Sequence, residues 1–345
     1  MPLPSTRHLL VLLAAWCGAS TARDVPPHIR EFYNAVQRNG SCTNQLATGF
    51  WATEPGGNTF SYCGDHMADY GVLYLQGRGG TLADMDIDCD GIQGGPGDDG
   101  RCDAVASPDL QLATSFKDEV AGYGKGISDL NAYVHPYVVL GNTRTRLSTK
   151  KGWPWFDPQE YGVHPLSLVA VVCGDKMVYG VWGDMNGDDG NRPMIGEASI
   201  ALATACDGMG INGGSGHSKE DVLYLAFTGP EAVPGADGAR WDAKSYEEFE
   251  RSVEGLGDRL VKRVGGASLG AEVGEGAGKS GSGSAGERGS GHVPGSEGAG
   301  EPDQGGKNGT SQSPEESRTV RVTIDLEAVA AAVVVAATWF WASSY

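Results

Sequence analysis

The chain has 345 residues, room for one large domain or two small ones at roughly 100 to 200 residues each, and its unusual features are 54 Gly and a formal charge of −18. So acidic a balance excludes the dense Lys/Arg surface that phosphate binding needs, and no nucleic-acid partner is expected. It suits a cationic partner drawn in by the field, or serves solubility alone.

In chain order, Arg7, the apolar run Leu9 to Trp16 and the small residues Gly18, Ala19, Ser20 and Ala22 read as a secretory signal peptide over 1–22. Cleavage after Ala19 or Ala22 fits the small-residue rule. Removing it also removes Cys17 and leaves Cys42, Cys63, Cys89, Cys102, Cys173 and Cys206. An even count in an oxidising compartment predicts three disulfides, with their pairing open; none of these cysteines has CxxC spacing, so zinc is not expected. Asn39-Gly40-Ser41 and Asn308-Gly309-Thr310 are N-glycosylation acceptors.

Residues 23–264 form the folded domain. Pro26 to Arg38 is predicted helical, because Ile29, Phe32, Tyr33 and Val36 recur at helical spacing behind prolines suited to a helix start. Strands are predicted at Gly71 to Gln76, Tyr137 to Leu140, Leu166 to Cys173, Lys176 to Gly183 and Asp221 to Thr228, which are rich in β-branched and aromatic residues between breaks. Gly174-Asp175 reads as a hairpin tip. Ser245 to Val264 carries Phe249, Val253, Leu256, Leu260, Val261 and Val264 on one stripe behind an acidic first turn, which predicts a C-terminal helix. The fold class expected is α+β and β-rich: a single compact domain with a β-barrel-like mixed sheet, flanking helices and a C-terminal helix, then a disordered tail.

From Gly265 to Ser317 there is no Phe, Trp, Tyr or Cys, and residues 265–318 are expected to be a Gly/Ser/Glu-rich disordered stalk, with too little apolar area to offset the entropy of folding. Serine-hydrolase and dinucleotide-like matches at Gly266 to Gly270 and Gly276 to Gly281 fall in that stalk and are discounted. Residues 319–345 hold an apolar tail, Ala328 to Ala342, short for a membrane helix of about 20 residues. With Asn308-Gly309-Thr310 as the small-residue site it is a candidate GPI-attachment signal, although the charged spacer exceeds the usual 8 to 12 residues or so.

Within the domain, Asp86-Ile87-Asp88-Cys89-Asp90-Gly91 opens like a calcium loop, but Gly97 stands where the closing Glu should be, and Cys89 points to a disulfide-tied turn. No metal and no cofactor are expected. A second stretch, Val178 to Gly187 followed by Gly196-Glu197-Ala198-Ser199-Ile200, delivers Asp184 at the end of a strand and Glu197 at the start of the next ordered segment. Two carboxyls at the ends of one loop can face each other across a groove, as glycosidic cleavage requires. Spacing alone does not raise that above a turn-capping Asp and a solvated Glu.

A resemblance raises it. Phe60-Ser61-Tyr62-Cys63-Gly64-Asp65, Met85-Asp86-Ile87-Asp88-Cys89-Asp90-Gly91, His135-Pro136-Tyr137-Val138-Val139, Ala170-Val171-Val172-Cys173, Tyr179-Gly180-Val181-Trp182-Gly183-Asp184, Gly196-Glu197-Ala198-Ser199-Ile200 and Ala232-Val233-Pro234-Gly235-Ala236 resemble the fungal chitosanases of glycoside hydrolase family 75, over about Phe60 to Val264. The resemblance implies inverting endo-hydrolysis of β-1,4-linked glucosamine in chitosan, with Asp184 and Glu197 as the catalytic pair. Glu197 is taken as general acid and Asp184 as base, and Asp86 and Asp88 as groups that meet substrate ammoniums. The expectation is a monomer, secreted and tethered to the cell surface or wall, touching a membrane only through the lipid anchor. The competing expectation is a catalytically silent wall-polysaccharide-binding protein. The segments Lys151 to Trp155 and Asp188 to Pro193 depart from the pattern and would reshape the groove.

Overall fold

A computed structural model describes residues 22–265, apart from 53–55, 58, 104–106, 108–109, 143–151 and 188–191. The signal peptide but for Ala22, the stalk beyond Gly265, the apolar tail with its candidate anchor site, Lys151 and Asp188 to Asn191 lie outside the described residues.

The elements are β1 (Arg23–Asp24), α1 (Pro27–Asn39), β2 (Gln45–Phe50), β3 (Phe60–Cys63), β4 (Val72–Gln76), β5 (Ala83–Asp88), α2 (Lys117–Gly122), β6 (Tyr137–Asn142), β7 (Leu168–Cys173), β8 (Lys176–Asn186), β9 (Glu197–Ser199), α3 (Ile200–Asp207), β10 (His217–Phe227) and α4 (Tyr246–Val261). The fold is strand-rich α+β. One ten-stranded sheet runs β1-β8-β6-β9-β5-β10-β4-β3-β2, with β7 bonded to both β10 and β8. Those two extra pairings close β8, β6, β9, β5, β10 and β7 into a ring, so the sheet is a small barrel from which β4-β3-β2 extends on one side and β1 on the other. The β6–β8 and β5–β9 pairs are parallel and the rest of the ring is antiparallel.

The apolar runs become the strands buried on both faces: every residue of β4, β6 and β7 is buried. Continuous Val/Ile/Leu runs have this meaning in a sheet covered on both sides. β7 and β8 form the expected hairpin, Cys173 opposite Lys176, and Gly174 at its tip has φ 60°, where a side chain would be strained. α1 buries Ile29, Phe32, Tyr33 and Val36, the stripe read from the sequence. α4 is capped by Ser245, whose hydroxyl accepts from the Glu248 N–H, and buries Phe249, Val253, Leu260 and Val261. Each large side chain so buried contributes about 1.5–3 kcal/mol. α4 lies so close to the barrel that a Cβ at Gly257 would stand 2.3 Å from the Tyr179 ring. Any larger residue there would push the helix off.

Three disulfides join Cys42–Cys63, Cys89–Cys102 and Cys173–Cys206. The first ties β3 to the segment after α1, the second ties the end of β5 to the following loop, and the third fastens β7 to α3. Asn39, the glycosylation acceptor, is the exposed last residue of α1. Among the described residues no helix is long and apolar enough to cross a membrane.

Candidate active site

Four adjacent strands, β8, β6, β9 and β5, set the site. Val139 at the middle of β6 pairs with Asp184 of β8 on one side and Glu197 of β9 on the other, and Glu197 in turn pairs with Asp86 of β5. Register partners project to the same face of a sheet, so Asp184, Val139, Glu197 and Asp86 form a row across the barrel wall. Asp184 and Glu197 are two strand spacings apart, roughly 9.5 Å between backbones at about 4.8 Å per strand.

Glycines let the backbones come that close. At Gly183, one residue before Asp184, a Cβ would sit 2.6 Å from that of Tyr137 on β6. Gly196, one residue before Glu197, has φ 90°, and a Cβ there would meet Asp84 Oδ1 at 2.8 Å. After Glu197, Ser199 does two jobs: its hydroxyl accepts the Tyr137 N–H at 3.0 Å and caps α3 by accepting from Leu202 N. The three-residue strand β9 is therefore pinned from both neighbours and from the helix that follows it.

Asp184, Glu197, Asp88, Asp90, Val139, Gln111, Ser107 and Asn186 line one cleft of about 60 Å³, together with Ile87, Cys89, Met185 and Gly187. No Lys, Arg or His is among them. Asp184 is 4% exposed. Its Oδ1 accepts from Ser115 N at 2.9 Å, Ser115 Oγ at 2.5 Å and Met185 N at 2.7 Å, while its Oδ2 is buried without a hydrogen-bond partner among the described residues. Burial raises the Asp184 carboxyl to about 6 against the pull of those donors, and the charge of Asp129 pushes the same way as burial. Behind it, the Trp182 indole N–H donates to the Asp184 carbonyl at 2.8 Å.

Asp88 keeps part of its surface open to the cleft, while its carboxylate accepts from Asp90 N at 2.7 Å and from the buried Tyr137 hydroxyl at 3.1 Å. Burial first, then the charges of Asp184 and Asp90, hold it well above the ordinary carboxylate range. One oxygen each from Asp88, Asp90 and Asp184 lies within 4.8 Å of the others. Such a trio attracts cations, whether a hard metal ion or a protonated amine, and gives no other chemistry by itself.

Of the four residues expected at the site, Asp184, Glu197 and Asp88 share the cleft, and Asp86 stands beside Glu197 in the strand row without lining the cleft itself. The Asp86 to Asp90 stretch is the end of β5 and a disulfide-tied turn. Asp90 and Ser115 were not singled out from the sequence. Asp90 lies inside the acidic motif and could have been, whereas Ser115, 69 residues from Asp184, carries no local signal. At the rim, Asn186 Nδ2 donates to the Met194 carbonyl at 3.1 Å, Met194 bridges to Trp51, and the Arg192 guanidinium lies 4.2 Å over the Trp51 ring.

Two carboxyls facing across a cleft of further acids, carried on the wall of a small barrel, are the equipment of a glycoside hydrolase. Residues 85–263 match the family described as fungal chitosanase of glycosyl hydrolase group 75, and the chain belongs to it. An endo-chitosanase of Aspergillus oryzae (strain ATCC 42149 / RIB 40) is 42% identical over 254 residues, which are 73% of this chain and 96% of that one. An endo-chitosanase of Aspergillus fumigatus is 40% identical over 253 residues, with the same coverage. Endo-chitosanase C of Aspergillus oryzae is more distant, 30% identical over 181 residues, or 52% of this chain and 38% of that one.

Proposed function

We propose that the protein is a secreted endo-chitosanase that hydrolyses β-1,4 glucosamine linkages by inversion, with Glu197 as general acid and Asp184 as general base. The observation that carries this reading is the placement of the two carboxyls on either side of Val139, over a cleft whose described lining holds four acids and no Lys, Arg or His. Backbones two strand spacings apart leave room for the carboxyl separation of roughly 6.5–9.5 Å that inversion needs, since water must fit between base and sugar. Three donors on Asp184 favour its ionised form, as a base requires.

In the reaction, a water oxygen attacks the anomeric carbon as the bond to the leaving oxygen breaks. Asp184 takes the water proton and Glu197 gives its own to the leaving oxygen. Asp88 in the cleft, and Asp86 beside Glu197, meet the ammonium groups of the bound polymer. The relatives named as endo-chitosanases support chitosan as substrate. Three disulfides fit an oxidising, extracellular setting, and with the signal peptide read from the sequence they support export.

The test is incubation of the protein and its Glu197→Gln and Asp184→Asn variants with soluble chitosan, following chain length and the anomer first released. Each variant should lose roughly 10²- to 10⁴-fold in kcat, and the wild type should release the α-anomer. A polymer left intact by the wild type would favour the silent binding protein, and a β-anomer released first would overturn inversion.

A further inference from the structure

A general base works through one oxygen, and a carboxylate free to rotate about its Cβ–Cγ bond offers either. Asp184 is not free. Its Oδ1 holds three donors between 2.5 and 2.9 Å, and rotation would break all three. Two of the three come from Ser115, its backbone N–H and its hydroxyl, and the Met185 N–H also lies 3.2 Å from that hydroxyl. Hydrogen bonds to a charged group are the stronger kind and fix geometry accordingly.

Ser115 is itself held. Its neighbour Thr114, 5% exposed, donates through N at 2.9 Å and through Oγ1 at 2.6 Å to Asp129, which is 2% exposed. On the other side Phe116 packs edge-on against Trp182 with ring centroids 4.7 Å apart, and Trp182 is the residue whose indole holds the Asp184 carbonyl. Residues 114 to 116 therefore grip three neighbours in succession: Asp129, Asp184 and Trp182. Ser115 is exposed, so its side chain fills no space in the core.

We propose that Ser115 is a positioning residue for the hydrolysis: its hydroxyl and N–H lock Oδ1 of Asp184, leaving Oδ2 as the oxygen that takes the proton of the attacking water. The inference rests on Asp184 being the base. Loss of the hydroxyl also removes a group that favours the ionised carboxylate, so the acid limb of the pH profile moves to higher pH.

The experiment measures kcat and KM on soluble chitosan from pH 4 to 8 for the full chain and its Ser115→Ala, Ser115→Thr and Asp184→Asn variants, with melting temperatures alongside. Ser115→Ala should lose about ten- to a hundredfold in kcat at its optimum, keep KM within about twofold, shift the acid limb upward and melt with the wild type. Ser115→Thr, which keeps the hydroxyl and has solvent to receive the methyl, should restore kcat and the limb. If Ser115→Ala keeps kcat and limb while Asp184→Asn is inactive, the positioning role falls and the base assignment stands. If Asp184→Asn stays active, the base assignment falls and takes the positioning role with it. A rise in KM alone, or a Thr variant as impaired as Ala, also overturns the role of the hydroxyl.

Discussion

The molecule holds two dense groups of acids, and they are built in opposite ways. At the β1–α4 corner, Arg23 forms an ion pair with Glu250, lies 3.1 Å from Asp258 and 3.8 Å from Glu254, and covers the Tyr179 ring at 4.0 Å. Glu250 is 2% exposed, and burial raises its carboxyl to about 7 against the pull of Arg23. In the cleft, Asp88, Asp90, Asp184 and Glu197 line one wall, and no Lys, Arg or His is among the described residues that line it. The first group is gathered around an arginine of the chain, whereas the second faces an open cleft. In the proposed function a positively charged polymer meets these acids, which would tie the acidic balance of the chain to its site.

Breaking the Arg23 corner should have the larger effect on stability. Arg23→Ala leaves Glu250 buried beside two further acids, and removing one partner of a buried pair costs about 3–5 kcal/mol. Partial exposure of Arg23 places the expected loss near ~3 kcal/mol, read from denaturant unfolding. A loss below ~1 kcal/mol would show that the corner tolerates its acids unanswered.

Relieving the cleft should do the reverse. Asp184 is raised from 3.8 to about 6 in the folded state, so its contribution to stability is full below about pH 4 and is lost as pH rises through 6. Asp184→Asn should therefore be more stable than wild type at pH 7 by about 2 kcal/mol, with the gain fading as pH falls towards 4. The amide oxygen still accepts from Ser115 and Met185. An Asn variant less stable at pH 7 would contradict the strained charge. If Asp184 is the base, as proposed, wild-type activity should fall as pH drops through about 6, where that carboxyl is protonated.

The smallest effect expected is that of salt. Raising ionic strength from about 0.05 to 0.5 M should weaken chitosan association several-fold while leaving the Arg23 corner intact, since exposed attraction is screened and buried pairs are not. Association insensitive to salt would return the acidity of the domain to a role in solubility.

How much of this was legible follows from which contacts are local. β7 and β8 are readable because Leu168 to Cys173 and Val178 to Trp182 are near-continuous apolar runs about one glycine-bearing turn, and α1 and α4 because each buries one stripe. β5 alternates Ala83, Met85 and Ile87 with Asp84, Asp86 and Asp88, a strand pattern masked by its resemblance to a metal loop. β9 has three residues and exists only because β5 and β6 flank it. α3 is buried on nearly every side, so it shows no stripe. Asp184 and Glu197 stand out as a pair at the two ends of one loop and are proposed as catalytic on the resemblance, while the hold on Asp184 by Ser115 joins residues 69 apart and becomes visible only when the barrel closes.

The Cys173–Cys206 bridge encloses 33 residues of sequence separation, and both Asp184 and Glu197 fall inside that covalent circle. A protease that cuts once anywhere between Gly174 and Ala205 would therefore release nothing, because the two ends stay on one molecule. Nicked and intact forms would migrate together on a denaturing gel until the disulfides are reduced, and a cut in the loop between the two acids would leave both in the same particle.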